Sequence, residues 1–145
     1  MTKNTKFDNL ICKELKNKTI LITGGAGSIG SVLAKRIINY PIRSLRILDN
    51  NEHALFKLDR DIDNPKLRLL LGNILDKERT EMAASGADIV IHTAAVKNIE
   101  ISEFNPIETI DININGTINL LKTVMKTKPK KFLNISTDKA ANSST

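Results

Sequence analysis

The sequence contains no tryptophan, one tyrosine and one cysteine, and aromatic residues fill 3% of its 145 positions. A single cysteine, Cys12, excludes an internal disulfide and suits a reducing compartment. Scarce aromatics remove the stacking platforms on which single-stranded nucleic-acid binders rely. The net charge of +6, gathered in Lys3 to Lys18 and Lys122 to Lys131, therefore reads as a solvated basic surface that also attracts phosphate-bearing ligands. No nucleic-acid partner is expected. No apolar run approaches the roughly 20 residues of a membrane span, and Lys3, Lys6, Asp8, Lys13, Glu14 and Lys16 break up any signal-peptide core. The expectation is a cytoplasmic protein without membrane association, and no metal site is expected.

What the sequence does contain is alternation. Apolar runs at 18–23, 44–49, 66–72, 87–94 and 130–136 are separated by segments with helical spacing. Near-continuous apolarity suits strands covered on both faces, as in a parallel sheet. A helix is predicted from Ser28 to about Tyr40, with Ile29, Val32, Leu33 and Ile37 on one stripe and Pro41 as its stop. A second is predicted over Glu52 to Ile62 and a third, weaker one over Lys77 to Ala84. The fourth starts at Asn105-Pro106-Ile107-Glu108, which offers an N-cap, a proline in the first turn and a capping-box glutamate. Ile107, Ile110, Ile114, Ile118, Leu121 and Met125 predict that this helix is long and packs its stripe on the sheet. The fold class is thus α/β, a doubly wound parallel sheet of about five strands with right-handed crossovers. Residues 1–16 form a lead-in, within which Phe7 to Leu15 is amphipathic and predicted to lie across the sheet; residues 17–145 form the domain.

The junction of the first strand and first helix reads TGGAGSIG. A tight turn needs a residue without Cβ at Gly24, close approach of a pyrophosphate needs one at Gly27, and helix–strand packing favours one at Gly30. With Gly25 in the same loop, the amides of Ser28 and Ile29 are expected to meet the phosphates at the helix N-terminus. Asp49 ends the second strand 25 residues after Gly24, where its carboxylate accepts from both ribose hydroxyls and repels a 2′-phosphate. That combination predicts a bound dinucleotide, NAD or NADP, with Asp49 favouring NAD. Lys35, Arg36 and Arg43 keep NADP open. Asn50 stands beside the ribose site, and Asn50 and Asn51 also offer caps for the second helix.

The spacing T-G-x-x-G-x-x-G resembles the extended short-chain dehydrogenase/reductase superfamily. Within it, GGAGSIGSVLAKRI, LDNNEHALFKL, GNILDKER, HTAAVKNIE, NPIETIDININGTINLL and KFLNISTDKAAN resemble the CapD-like branch, in order from Asn17 to Asn142. Its members are nucleotide-sugar 4,6-dehydratases and epimerases of polysaccharide biosynthesis, typically acting on UDP-N-acetylglucosamine. The resemblance implies an NAD(P)-binding Rossmann domain and a UDP-sugar substrate. It puts Asn73 and Ile74 near the adenine, Ala94 and Ala95 against the cofactor, and Lys97 near the ribose or nicotinamide. Thr93 and Ser136 would face the sugar. Thr137, Asp138 and Lys139 would supply the catalytic hydroxyl, acid and base. His92, inside an apolar strand, is expected to be a packed, hydrogen-bonded residue, and Asn113 a structural one.

The sequence departs from the branch at Thr93, at Asn98-Ile99-Glu100 and at Asn73, where alanine, histidine-valine-proline and aspartate are usual. It also lacks the Tyr- or Met-x-x-x-Lys pair expected beyond STDKA; Tyr40 is followed four residues later by Ser44. The expectation is an incomplete catalytic unit, able to associate with itself or with a longer chain through the exposed edge of the fifth strand.

Overall fold

The computed structural model describes residues 6–137, so Asp138 and Lys139 lie outside the described residues. Five strands, β1 (Thr19–Thr23), β2 (Ser44–Asp49), β3 (Leu67–Leu71), β4 (Ile89–His92) and β5 (Lys131–Asn134), form one all-parallel sheet in the order β3-β2-β1-β4-β5. The central strands β1 and β4 are buried throughout, which explains their unbroken apolarity, whereas the edge strands β3 and β5 carry exposed positions. The strand order runs outward from β1 in two directions, to β2 and β3 on one side and to β4 and β5 on the other, so the crevice between the carboxyl ends of β1 and β4 is the switch point of the sheet.

On one face, α2 (Ser28–Ile37) and α3 (Glu52–Ile62) bury Ala34, Ile37, Leu55 and Leu58 against Ile20, Ile22, Leu45 and Ile47. On the other, α4 (Lys77–Ala84) and a later helix, α7 (Thr117–Thr127), bury Ala83, Ala84 and Leu120 against Leu21, Leu48 and Val90. The lead-in forms α1 (Lys6–Leu15), tied to the amino-terminal side of the sheet by Leu15 packing, by an ion pair from Lys131 to Glu14 and by the Tyr40 hydroxyl donating to Asp8. No helix of the described residues is long and apolar enough to cross a membrane.

Helix faces differ from the predicted ones. α2 ends at Ile37; the Ile38 amide still donates to the Ala34 carbonyl, and Asn39 and Tyr40 then close in tighter three-residue turns. Its buried side is Gly30, Ala34 and Ile37, while Ile29 and Val32 are exposed. The reason is distance: a Cβ on Gly30 would stand 2.5 Å from the Gly24 carbonyl oxygen, so α2 lies too close to the turn for a larger residue there.

The fourth predicted helix is three pieces in one run: α6 (Pro106–Ile110), a π-helical segment (Asp111–Gly116) and α7. Before it lies a helix that the sequence did not announce, α5 (Ile99–Phe104), capped by Asn98, whose side chain accepts from the Ile101 amide. Asn105 is shared between the two helices. Its side chain donates to the Ile101 carbonyl of α5 at 2.8 Å and makes no capping bond to α6, so the predicted capping box does not form. The stripe Ile107 to Met125 does not pack on the sheet either; all six residues are exposed, and Leu120, Thr123 and Val124 face inward instead.

Candidate active site

Strand β1 runs from the buried Thr23 into the turn at Gly24, where φ is +67°. A Cβ there would lie 2.5 Å from the Ala94 backbone, so the end of β4 passes as close to the turn as a glycine allows. Gly25 is packed inward, its missing Cβ directed at Ile47, and does not face the cleft. Gly27 caps α2, and no side chain caps the helix, leaving its first-turn amides for a ligand. A Cβ on Gly27 would meet only the Gly24 carbonyl, at 3.3 Å. The cradle therefore has the space and the donors that a pyrophosphate requires.

Asp49 leaves the end of β2 for the same turn. One carboxylate oxygen accepts from the Ala26 amide at 3.0 Å and the other from the Asn51 amide at 3.0 Å. Each oxygen keeps lone-pair capacity for a ribose hydroxyl. Asn51, not Asn50, caps α3, accepting from the Ala54 amide, which leaves the Asn50 side chain at the cleft wall. The residues present fit a dinucleotide.

The turn, Asp49 and Asn50 share one cleft of about 1040 Å³ with Asn73 and Ile74 after β3, with Thr93, Ala94, Ala95 and Lys97 after β4, and with Ser136 and Thr137 after β5. Of the sequence-predicted residues within the described range, all but Gly25 line it. Asn73 folds its side-chain oxygen back onto the Leu75 amide, and Ile74 is buried against Gly116. Thr93 donates its hydroxyl toward the Thr23 and Gly24 carbonyls at 2.8 and 3.0 Å, so it pins β4 to the turn and presents only acceptor capacity to a ligand. The Lys97 ammonium reaches the Ser28 hydroxyl at 3.4 Å, bringing a positive charge to the N-terminus of α2.

Two supporting side chains orient the loop after β4. Asn113, in the π segment, accepts from the Val96 amide at 2.8 Å and donates to the Val96 carbonyl at 2.9 Å, a two-point clamp across 17 residues. His92 is almost fully buried between the Thr23 hydroxyl at 2.6 Å from Nδ1 and the Thr117 hydroxyl at 3.1 Å from Nε2. The Thr117 hydroxyl donates to the Asn113 carbonyl, so it accepts from His92; Nε2 carries the proton, and Nδ1 accepts from Thr23. His92 is thus a satisfied neutral imidazole bridging β1, β4 and the π segment, as expected of it.

Burial holds the His92 pKa below its ordinary value of 6.5. The unfolded chain then takes up a proton below pH 6.5 that the folded chain does not, so stability is full above that pH and declines as pH falls below it. Urea unfolding at about pH 7.5 and 5.5 is expected to show a loss of up to about 1.4 kcal/mol in the wild type and a clearly smaller one in His92→Gln. An equal loss in both proteins would assign the effect elsewhere.

The family model described as polysaccharide biosynthesis protein matches residues 20–145. A Methanocaldococcus jannaschii protein named uncharacterized membrane protein MJ1061 is 42% identical over 127 residues, covering 88% of this chain and 38% of its own length. A Campylobacter jejuni UDP-N-acetylglucosamine 4,6-dehydratase (inverting) is 39% identical over 126 residues, covering 86% of this chain and 38% of its own. Among solved structures, a UDP-glucose 4-epimerase from Bifidobacterium longum in complex with NAD+ and UDP superposes with a TM-score of 0.74 at 29% identity, over 86% of this chain and 38% of that one. The chain spans 38% of the length of these curated relatives. A glycine cradle at the switch point of a five-stranded parallel sheet and a family match running from β1 through Thr145 lead to one conclusion: the chain belongs to the polysaccharide biosynthesis protein family.

Proposed function

We propose that this chain is the cofactor-binding part of an NAD-dependent nucleotide-sugar 4,6-dehydratase or epimerase of polysaccharide biosynthesis, acting on UDP-N-acetylglucosamine. The observation that carries this reading is convergence. One cleft is lined by the uncapped start of α2 and Asp49 on one side of the switch point and by the ends of β4 and β5 on the other. The relatives named above include a UDP-N-acetylglucosamine dehydratase and an epimerase with bound NAD+ and UDP, which supports both the cofactor and the nucleotide-sugar.

In this reading the α2 amides hold the pyrophosphate, Lys97 stands near the ribose or nicotinamide, Asp49 and Asn50 hold the adenosine ribose, and Asn73 and Ile74 the adenine. The negative charge of Asp49 selects NAD over NADP. Bound NAD would take up the hydride that leaves C4 of the sugar and give it back, to C6 after the hydroxyl has left in a dehydratase or to the opposite face of C4 in an epimerase. The resulting 4-keto group acidifies C5. Thr93 and Ser136 face the sugar, Thr137 hydrogen-bonds its O4, Lys139 takes the C5 proton and Asp138 protonates the departing C6 hydroxyl. Cys12, a free thiol, accords with a cytoplasmic setting.

A second reading is a noncatalytic dinucleotide-binding module, which the glycine cradle and Asp49 would by themselves support. Calorimetry with NAD, NADP and UDP-N-acetylglucosamine separates the two. Binding of NAD and of the UDP-sugar, with a product lighter by one water or an isomer of equal mass, supports the enzyme. NAD binding without sugar binding supports the module, and binding of neither overturns both.

A further inference from the structure

Arg46 of β2 and Arg68 of β3 are partners in the parallel register, so their side chains leave one face of neighbouring strands set about 4.8 Å apart. That face is the one α4 covers, since Leu48 and Leu70, on the same side, pack in the cluster that holds Ala83 and Ala84. Like charges set directly opposite destabilise a sheet unless a counter-charge meets them. No carboxylate among the described residues does so, for every ion pair there is made by a lysine.

Both guanidinium groups are fixed from one end. Arg46 Nη1 donates to the Ala83 and Ser85 carbonyls at 2.8 and 2.7 Å, at the end of α4, and Arg68 Nη1 donates to the Pro65 and Leu67 carbonyls at 2.6 and 2.7 Å. Two acceptors use both hydrogens of each Nη1. The remaining edge of each group, Nε and Nη2, meets no acceptor among the described residues. Such an edge is the fork that holds an oxyanion by two parallel hydrogen bonds.

Arg46 and Arg68 line a hollow of about 420 Å³ together with Leu70, Met82 and Ser85. It contains no carboxylate, and none of its residues lines the cofactor cleft. Ser85 is exposed and adds a hydroxyl donor, while Leu70 and Met82, the latter 55% exposed, add an apolar wall.

We infer that this hollow is a second ligand site, which takes the phosphate group of a small organic phosphate. The two guanidinium forks and the Ser85 hydroxyl receive the phosphate oxygens, and Leu70 and Met82 cover the apolar or planar body attached to them. The anion supplies the counter-charge that the arginine pair lacks. The carbonyls that fix each Nη1 have already ordered both side chains, so binding costs little of their rotamer freedom.

Titration of the isotope-labelled chain with inorganic phosphate and with phenyl phosphate, at an ionic strength held constant with chloride, tests it. Saturable shifts are expected at the Arg46 and Arg68 side-chain Nε–H groups and the Ser85 amide, with phenyl phosphate binding about fivefold more tightly because its ring covers Leu70 and Met82. Met82→Gln is expected to remove that advantage and to leave inorganic phosphate unchanged. Arg68→Gln, at an exposed position whose acceptors are local, is expected to weaken both by about tenfold with unchanged circular dichroism. Shifts that rise linearly to about 50 mM overturn the inference, as does an Arg68→Gln affinity equal to that of the wild type. Saturable shifts confined to Gly24–Ile29 overturn it too, because they put the phosphate in the cofactor cleft. Equal affinity for the two probes overturns the organic phosphate in favour of the free ion.

Discussion

Gly24→Ala is expected to lower the melting temperature by about 10–15 °C and to abolish dinucleotide binding, whereas Gly86→Ala lowers it by only a few degrees. The two glycines have nearly the same backbone, φ +67° and +66°. An alanine at either position bears the left-handed conformation, a cost of about 1 kcal/mol. Their surroundings differ completely. A Cβ on Gly86 meets nothing within 4 Å, while one on Gly24 lies 2.5 Å from the Ala94 nitrogen and Cα. Those are backbone atoms of the chain leaving β4, held in place by the Thr93 hydroxyl and by the Thr93 amide donating to Thr23, so they cannot turn aside as a side chain does. The turn and the β4 end must separate, at a total cost of about 3–4 kcal/mol. That separation opens the crevice in which the pyrophosphate is proposed to sit. Equal melting temperatures for the two variants would show that close approach to β4 does not matter.

Asp49→Ala is expected to weaken NAD binding by about 10–100-fold and to remove most of the discrimination against NADP. Two losses combine. The proposed contact with the ribose hydroxyls goes, and the Ala26 and Asn51 amides lose the oxygens that hold the glycine turn against the end of β2. Asp49→Asn separates them, because its amide oxygen can still accept from one of the two backbone groups. It is expected to lose NAD affinity by less than tenfold while the ratio of NADP to NAD affinity still rises, since the repulsive charge is gone. Titration calorimetry of both cofactors into both variants gives the ratio directly. A ratio that is unchanged in Asp49→Asn would remove the charge as the source of selectivity.

Why some of this was legible in the sequence and some was not follows from the range of each interaction. The strands were legible because burial on both faces leaves an unbroken apolar run, and the glycine turn because its requirement for missing Cβ atoms is met within seven residues. Asp49 could be named because it closes the very next strand. Helix faces were less legible. Periodicity says that Ile29 and Val32, or Ile107 to Met125, lie on one stripe, but not whether the sheet, a partner or water meets it. In α2 the glycine at position 30 decided the matter by bringing small residues to the sheet.

Contacts across long separations were invisible for a simpler reason. The Asn113 clamp on Val96 depends on a π segment that shifts the helix register between Asp111 and Gly116. The approach of Lys97 to Ser28 spans 69 residues and exists only because β4 lies beside β1. α5 was missed because Ile99, Ile101 and Phe104 do not trace a helical stripe within six residues, and Asn105 was read as opening one helix when it also closes another.

The central claim is that NAD lies along the carboxyl ends of β1, β2 and β4, with its pyrophosphate on the first turn of α2. Backbone amide chemical shifts of the isotope-labelled chain, followed through a titration with NAD, test it most directly. The account predicts saturable shifts at Gly24, Gly27, Ser28 and Ile29, with a second group at Asp49, Asn50 and Asn73 and weaker changes at Ala94 and Ala95. Saturable shifts that leave the Gly24–Ile29 amides unmoved, or no shifts at millimolar NAD, would contradict it.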